Sequence, residues 1–144
     1  MKVRLQISDE YKLPEAEIRA DHMTEEIQAA IDFLQNPGGV ITVYAKDRMV
    51  ILKAAQIYLI RVENEKTVIY TKEHSYKTGK RLYELQKLLG NRFMRISRSA
   101  LVNLNYLDHV EATFGSMMLL TMKNGSQEYV SRHYLPEFKR FLGL

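Results

Sequence analysis

The sequence predicts a mainly β fold of the α+β kind, in which antiparallel strands are interrupted by one internal helix and followed by a C-terminal helix. Three observations lead there. Period-two alternation of apolar and polar residues recurs between residues 40 and 131, the breaks between alternating runs are short and polar, and helical spacing appears in only a few places. A small β-β-α element is expected ahead of the sheet, over residues 1–39.

Each element has a local cause. Residues 2–7 alternate, with Val3, Leu5 and Ile7 on one face, and a second short strand is expected over residues 15–20. Thr24 stands where a helix N-cap belongs. Glu25 and Glu26 follow in the first turn, where the helix dipole favours negative charge, and Ile27, Ile31 and Leu34 recur at helical spacing. Asn36-Pro37-Gly38-Gly39 ends that helix. Strands are then expected over residues 40–46, 49–53, 57–63 and 66–72. Thr78 or Gly79 opens a helix with Leu82, Leu85, Leu88 and Leu89 as its apolar stripe, and Gly90-Asn91 stops it. Strands resume over residues 93–96, 106–110, 116–122 and 127–131, the last two joined by a tight turn at Asn124-Gly125. A last helix, over residues 134–142, places Leu135, Phe138 and Leu142 on one face, and Pro136 is tolerated because it falls in the first turn.

Composition removes several classes of function. At 144 residues the chain has room for one core with a small appended lobe. No apolar stretch approaches the ~20 residues of a membrane helix. The N-terminus lacks the continuous apolar region of a secretory signal, and zero cysteines exclude a disulfide framework, so a cytoplasmic location is expected. Asn124-Gly125-Ser126 matches a glycosylation acceptor but reads better as the hairpin turn. The formal net charge of +4 is segregated: residues 1–60 carry 7 Lys and Arg against 9 Asp and Glu, whereas residues 61–144 carry 14 against 8. A segregated positive charge suits a polyanion. Because the basic residues lie mainly in strand and loop sequence, not beside a broad apolar helical face, nucleic acid is favoured over a membrane surface.

The four histidines, His22, His74, His109 and His133, include no pair at i, i+4 spacing, so no metal site is expected. Gly38-Gly39 precedes a strand instead of a helix N-terminus, which leaves no phosphate loop, and no cofactor is expected. Glu84, Asp108, Glu111 and Glu137 are scattered and no nucleophile is evident, so neither an enzyme nor a small-molecule substrate is expected. What remains is basic and polar residues at strand ends. The stretch FMRISRSALVNLNYL, residues 93–107, spaces Arg95, Arg98 and Asn103 among apolar residues and contains no carboxylate. Arg98 and Ser99 sit between two apolar runs, as at a loop apex; Asn64, Glu65 and Lys66 form a second polar apex, and Arg132 and His133 follow a strand. Arginine offers a planar fork to guanine or phosphate, and serine offers short hydrogen bonds to backbone oxygens. Taken alone, the local pattern fits better with arginines that line the polar face of an amphipathic strand.

Residues 47–144 resemble the LytTR DNA-binding domain of bacterial transcription regulators. The resemblance rests on Ile57-Tyr58-Leu59-Ile60 before the Asn64 apex, Leu82 and Leu85 in the helix, FMRISRSALVNLNYLDHV, the Asn124-Gly125 hairpin, and YVSRHYLPEF from Tyr129 to Phe138. It implies an elongated antiparallel β domain that inserts loops into successive major grooves of double-stranded DNA at paired repeats, with a homodimer on the DNA. Carried over by position, the base-reading loop falls on Ser97, Arg98 and Ser99, and the late reading arginine on Arg132, with His133 beside it. Lys66 takes the earlier loop contact, since Glu65 would repel phosphate; Arg95, Lys77, Lys80 and Arg81 are backbone contacts, and Asn103 matches an asparagine that holds the loop. Residues 47–144 then form the DNA-binding domain, and residues 1–46 an N-terminal element suited to a dimer or partner contact. Forty-six residues cannot hold a phosphorylatable receiver, so the resemblance is to small stand-alone members, some of which are restrained by a multi-spanning membrane protein. The rival function is a protein-interaction module whose basic edge grips an acidic protein or a membrane surface.

Overall fold

The computed structural model describes residues 1–35 and 39–144, apart from the Asp32 side chain. The expected helix stop at Asn36-Pro37-Gly38 lies outside the described residues. The chain divides into two compact units, Met1–Gln35 and Asn36–Leu144.

In the first unit the helix forms as its cap and stripe dictate. It is α1, Glu25–Gln35. The Thr24 Oγ1 accepts the Ile27 N–H at 3.2 Å and the Thr24 carbonyl accepts the Gln28 N–H at 3.0 Å. The strands expected over residues 2–7 and 15–20 do not form. Alternation gives Val3, Leu5 and Ile7 a common face, yet they are 84%, 84% and 87% exposed. A strand needs a neighbour for its backbone N–H and C=O groups, and two short strands alone make a hairpin that is marginal in water. The unit is therefore an irregular lead-in and one helix, not β-β-α.

The second unit carries the sheet structure. Its elements are β1 Val40–Ala45, β2 Arg48–Lys53, β3 Leu59–Glu63, β4 Lys66–Tyr70, β5 Ser75–Thr78, α2 Leu82–Leu89, β6 Phe93–Ser97, β7 Ala100–Asn103, β8 Leu107–Ala112, β9 Met118–Met122, β10 Gln127–Val130 and α3 Leu135–Phe141. They form a β1-β2 hairpin, a five-stranded sheet ordered β5-β4-β3-β7-β6, and a three-stranded sheet ordered β10-β9-β8, with every pairing antiparallel. The β9–β10 turn closes through the Gly125 N–H on the Met122 carbonyl at 2.9 Å, with Gly125 at φ 88°, a conformation that suits glycine.

The five-stranded sheet separates two cores. On one side Ile60, Ile69, Phe93 and Leu101 pack with Leu82, Leu85 and Leu89 of α2 and with Ile41, Val43 and Leu52 of the hairpin. On the other, Leu59, Ile96, Ala100 and Val102 pack with Leu120, Met122 and Val130 of the smaller sheet and with Leu135 and Phe138 of α3. Leu88, expected in the α2 stripe, is 43% exposed, and α2 begins at Leu82 because Thr78 belongs to β5. Gly90 ends α2 as expected, at φ 81° with its N–H on the Gln86 carbonyl.

Asn103 is a buried polar side chain with its partners in place. Its Nδ2 donates to the carbonyls of Ile57 at 2.9 Å and Ala54 at 3.4 Å, and its Oδ1 accepts the Asn105 N–H at 3.0 Å. It staples the turn that enters β3 and does not hold the arginine loop. Asn103→Ala leaves the buried Ile57 carbonyl without this donor, while the Ala54 carbonyl keeps the Ile57 N–H at 3.1 Å; the change is expected to cost about 1–3 kcal/mol, read as a lower urea midpoint at unchanged slope.

Candidate nucleic-acid interface

Antiparallel register decides which loops share an end of the larger sheet. β3 sets Glu63 opposite Lys66 of β4 and Arg61 opposite Ala100 of β7, so the β3–β4 apex and the β6–β7 turn project from the same end. The Val62 N–H donates to the Ser99 carbonyl at 2.8 Å and ties the two together. Thr67 opposite Thr78 brings the exit of β5 to that end, and the Ser131 N–H on the Ile96 carbonyl at 2.9 Å brings the exit of β10 beside β6. Loops distant in sequence thus converge.

At the apex, Asn64 and Glu65 turn the chain at φ 48° and 66°, the left-handed pair a two-residue hairpin needs. Between this apex and the β5 exit lies a cleft of about 540 Å³ lined by Lys66, Lys77, Lys80 and Arg81, with Glu65 its single carboxylate. Four of the sequence-predicted cations therefore meet in one concavity, a geometry that suits a phosphate.

The β6–β7 turn is built by its own side chains. The Ser99 N–H donates to Ser97 Oγ at 3.1 Å, and the two hydroxyls lie 3.4 Å apart. Arg95 reaches along β6 from a half-buried position: its Nε donates to the Ser97 carbonyl at 2.9 Å and its Nη2 to the Arg98 carbonyl at 2.5 Å. Those donors hold the turn. Arg98 stands exposed at the apex, with no ion-pair partner among the described residues. Arg132 is also exposed and donates from Nη2 to the Gly115 carbonyl at 3.3 Å, while the His133 ring meets Tyr134 edge-on at 5.0 Å.

Sequence reasoning missed the support beneath these tips. Arg61 lies between Glu63, 3.3 Å away, and Glu128 of β10, 3.5 Å away, with its guanidinium 4.9 Å from the centre of the Tyr70 ring. The Tyr70 hydroxyl donates to Glu63, and burial, reinforced by that bond, pushes its pKa up. This cluster joins β3 of one sheet to β10 of the other, beside the exits toward Arg98 and Arg132. An arginine between Ile60 and Val62 looks like any polar-face residue, because Glu128 becomes its neighbour only through the tertiary fold. Also unforeseen was Phe114, 98% exposed on the β8–β9 loop. Among the described residues no helix is long and apolar enough to cross a membrane, and no grouping of His, Cys, Asp and Glu is placed to hold a metal ion.

An antiparallel β domain that gathers cationic loops at one end belongs to the class of loop-presenting domains suited to a polyanion. The chain belongs to the LytTR family: the family model described as the LytTr DNA-binding domain matches residues 47–143. The sensory transduction protein LytR of Staphylococcus haemolyticus is 31% identical over 106 residues, which is 73% of this chain but 41% of that protein. A Staphylococcus aureus protein named an uncharacterized HTH-type transcriptional regulator is 26% identical over 146 residues, covering 100% of this chain and 99% of its own length. Among solved structures, the LytTr DNA-binding domain of a putative methyl-accepting/DNA response regulator from Bacillus cereus superposes with a TM-score of 0.68 at 27% identity, covering 74% of this chain and 98% of that domain. The described elements here contain no helix-turn-helix: α2 and α3 are separated by β6 to β10.

Removing the Arg95 guanidinium tests its structural role. Arg95→Ala is expected to cost about 1–2 kcal/mol of stability. Amide exchange should quicken at Val62 and Ser99, whose N–H bonds tie the turn, and stay unchanged in α3.

Proposed function

We propose that this protein is a cytoplasmic, sequence-specific DNA-binding transcription regulator that performs no covalent chemistry. The observation that carries the reading is the convergence of Arg98, Arg132 and the four-cation cleft at one end of a LytTR-family domain. On this reading Arg98 and Arg132 enter major grooves of paired repeats, where a guanidinium can bond both guanine N7 and O6, and Ser97, Ser99 and His133 make shorter contacts beside them. Lys66, Lys77, Lys80 and Arg81 take phosphates, and Arg95 acts through the turn that it holds. Two protomers bind as a homodimer on one face of the duplex, with paired sites about a helical turn apart. Residues 47–144 carry the DNA contacts. Residues 1–46, which include the acidic first turn of α1, carry the homodimer contact or the contact with a membrane-protein regulator.

Selection of binding sites from random duplexes, followed by footprinting on the recovered sequence, tests the reading. Recovery of a repeated motif supports it, and binding without any sequence preference would overturn it in favour of a module that grips an acidic partner. Arg98→Ala should lower discrimination between cognate and scrambled duplexes by about 1–3 kcal/mol. Lys77→Ala and Lys80→Ala should instead weaken all duplexes alike and reduce the salt slope by about one unit each, read from binding across a salt series. A chain beginning at Val40 should keep cognate discrimination but sediment as a monomer where the full chain self-associates. Loss of discrimination by a folded, shortened chain would assign the N-terminal residues to DNA instead.

A further inference from the structure

We infer that Phe114 is a further specificity-determining residue, an apolar tip that packs on a thymine C5-methyl group beside the bases approached by Arg132. The inference rests on the DNA-binding reading above and extends it to a residue outside the charged set.

Phe114 is 98% exposed, the most open large apolar side chain among the described residues. Its loop is nonetheless fixed. The Thr113 N–H and Oγ1 both donate to the Met117 carbonyl, at 3.1 and 2.9 Å, and Gly115 and Ser116 take left-handed backbone at φ 76° and 65°. The Gly115 carbonyl, one residue from Phe114, accepts the Arg132 guanidinium at 3.3 Å. The sheet places this loop at the same end, since β9 pairs Met118 with both Ala112 and Val130. From Ala112 to Met118 the loop carries no charge, so nothing on it repels phosphate.

The chemistry matches one base. In the major groove only thymine presents a methyl group, and an apolar side chain reads it by excluding water from that contact. An aromatic ring with two rotatable bonds, on a tied loop, loses little entropy when it docks. Arginine and phenylalanine held side by side would then read a guanine and a thymine as a pair.

The test uses the full chain and its selected cognate duplex, in which each thymine is replaced in turn by deoxyuridine so that only the methyl is removed. The wild type should lose about fourfold at one thymine near the Arg132-dependent position, the worth of one buried methylene. Phe114→Ala should show the same loss on the unmodified duplex and no further loss with uracil at that position, while thermal unfolding stays unchanged. Phe114→Leu should retain part of the methyl dependence. Equal affinity and equal methyl dependence in wild type and Phe114→Ala would overturn the inference and leave the DNA-binding reading intact, whereas failure of the wild type to select any sequence would overturn that reading itself. A Phe114→Ala change in sedimentation without a change in methyl dependence would assign the tip to a protein contact and also overturn the inference.

Discussion

Everything in the second unit depends on β3, which is paired on both edges and, at Leu59 and Ile60, buried on both faces. Leu59 enters one core and Ile60 the other, while β4 and β7 take up the backbone hydrogen bonds on either side. A one-residue slip that put Ile60 in the place of Leu59 would put Arg61 in the place of Ile60, inside a core, so the apolar pair already constrains the register. Polar contacts constrain it further. Asn103 bonds the carbonyls of Ala54 and Ile57, the Val62 N–H bonds Ser99, and Arg61 sits between Glu63 and Glu128; none of these survives a slip. The same register brings the loop tips together, so fold specificity and site geometry have one origin.

Burial on one face only makes an element legible in sequence. β1 alternates exposed with buried residues, and it was expected where it forms; the Thr24 cap and the Gly90 stop work through local bonds that the residue types announce. β7 escaped notice because Ala100, Leu101, Val102 and Asn103 are all buried and carry no alternation, and β5 because four residues are too few to establish a period. Residues 2–7 failed in the opposite sense. Their alternation is genuine, but periodicity describes a face and says nothing of a neighbouring strand.

The candidate site was legible as residue types and illegible as roles. Arg61, Arg95, Arg98 and Arg132 look alike in sequence, each a basic residue in or beside a strand. The fold separates them by what lies within reach of each guanidinium. Arg61 faces two carboxylates and a tyrosine ring, and Arg95 faces the carbonyls of a turn one strand-end away. Arg132 has one long bond to Gly115, and Arg98 has no carboxylate partner among the described residues. The gain from a partly buried ion pair such as that of Arg61 is largely offset by desolvation, so its value lies in orientation more than in net stability.

That division bears on how a basic surface acquires selectivity. A guanidinium already committed to protein acceptors has few donors left for a ligand, whereas one bonded mainly to water exchanges those bonds for phosphate or base acceptors and releases counterions from the duplex. Net charge cannot distinguish the two, because it counts both alike. Glu65 illustrates the point from the other side: it lies among Lys66, Lys77, Lys80 and Arg81, yet four cations against one anion keep the cleft positive. Substituting a supporting arginine and substituting an open one therefore change different quantities, the shape of the end in the first case and its contacts in the second, although the sequence charge falls by the same amount.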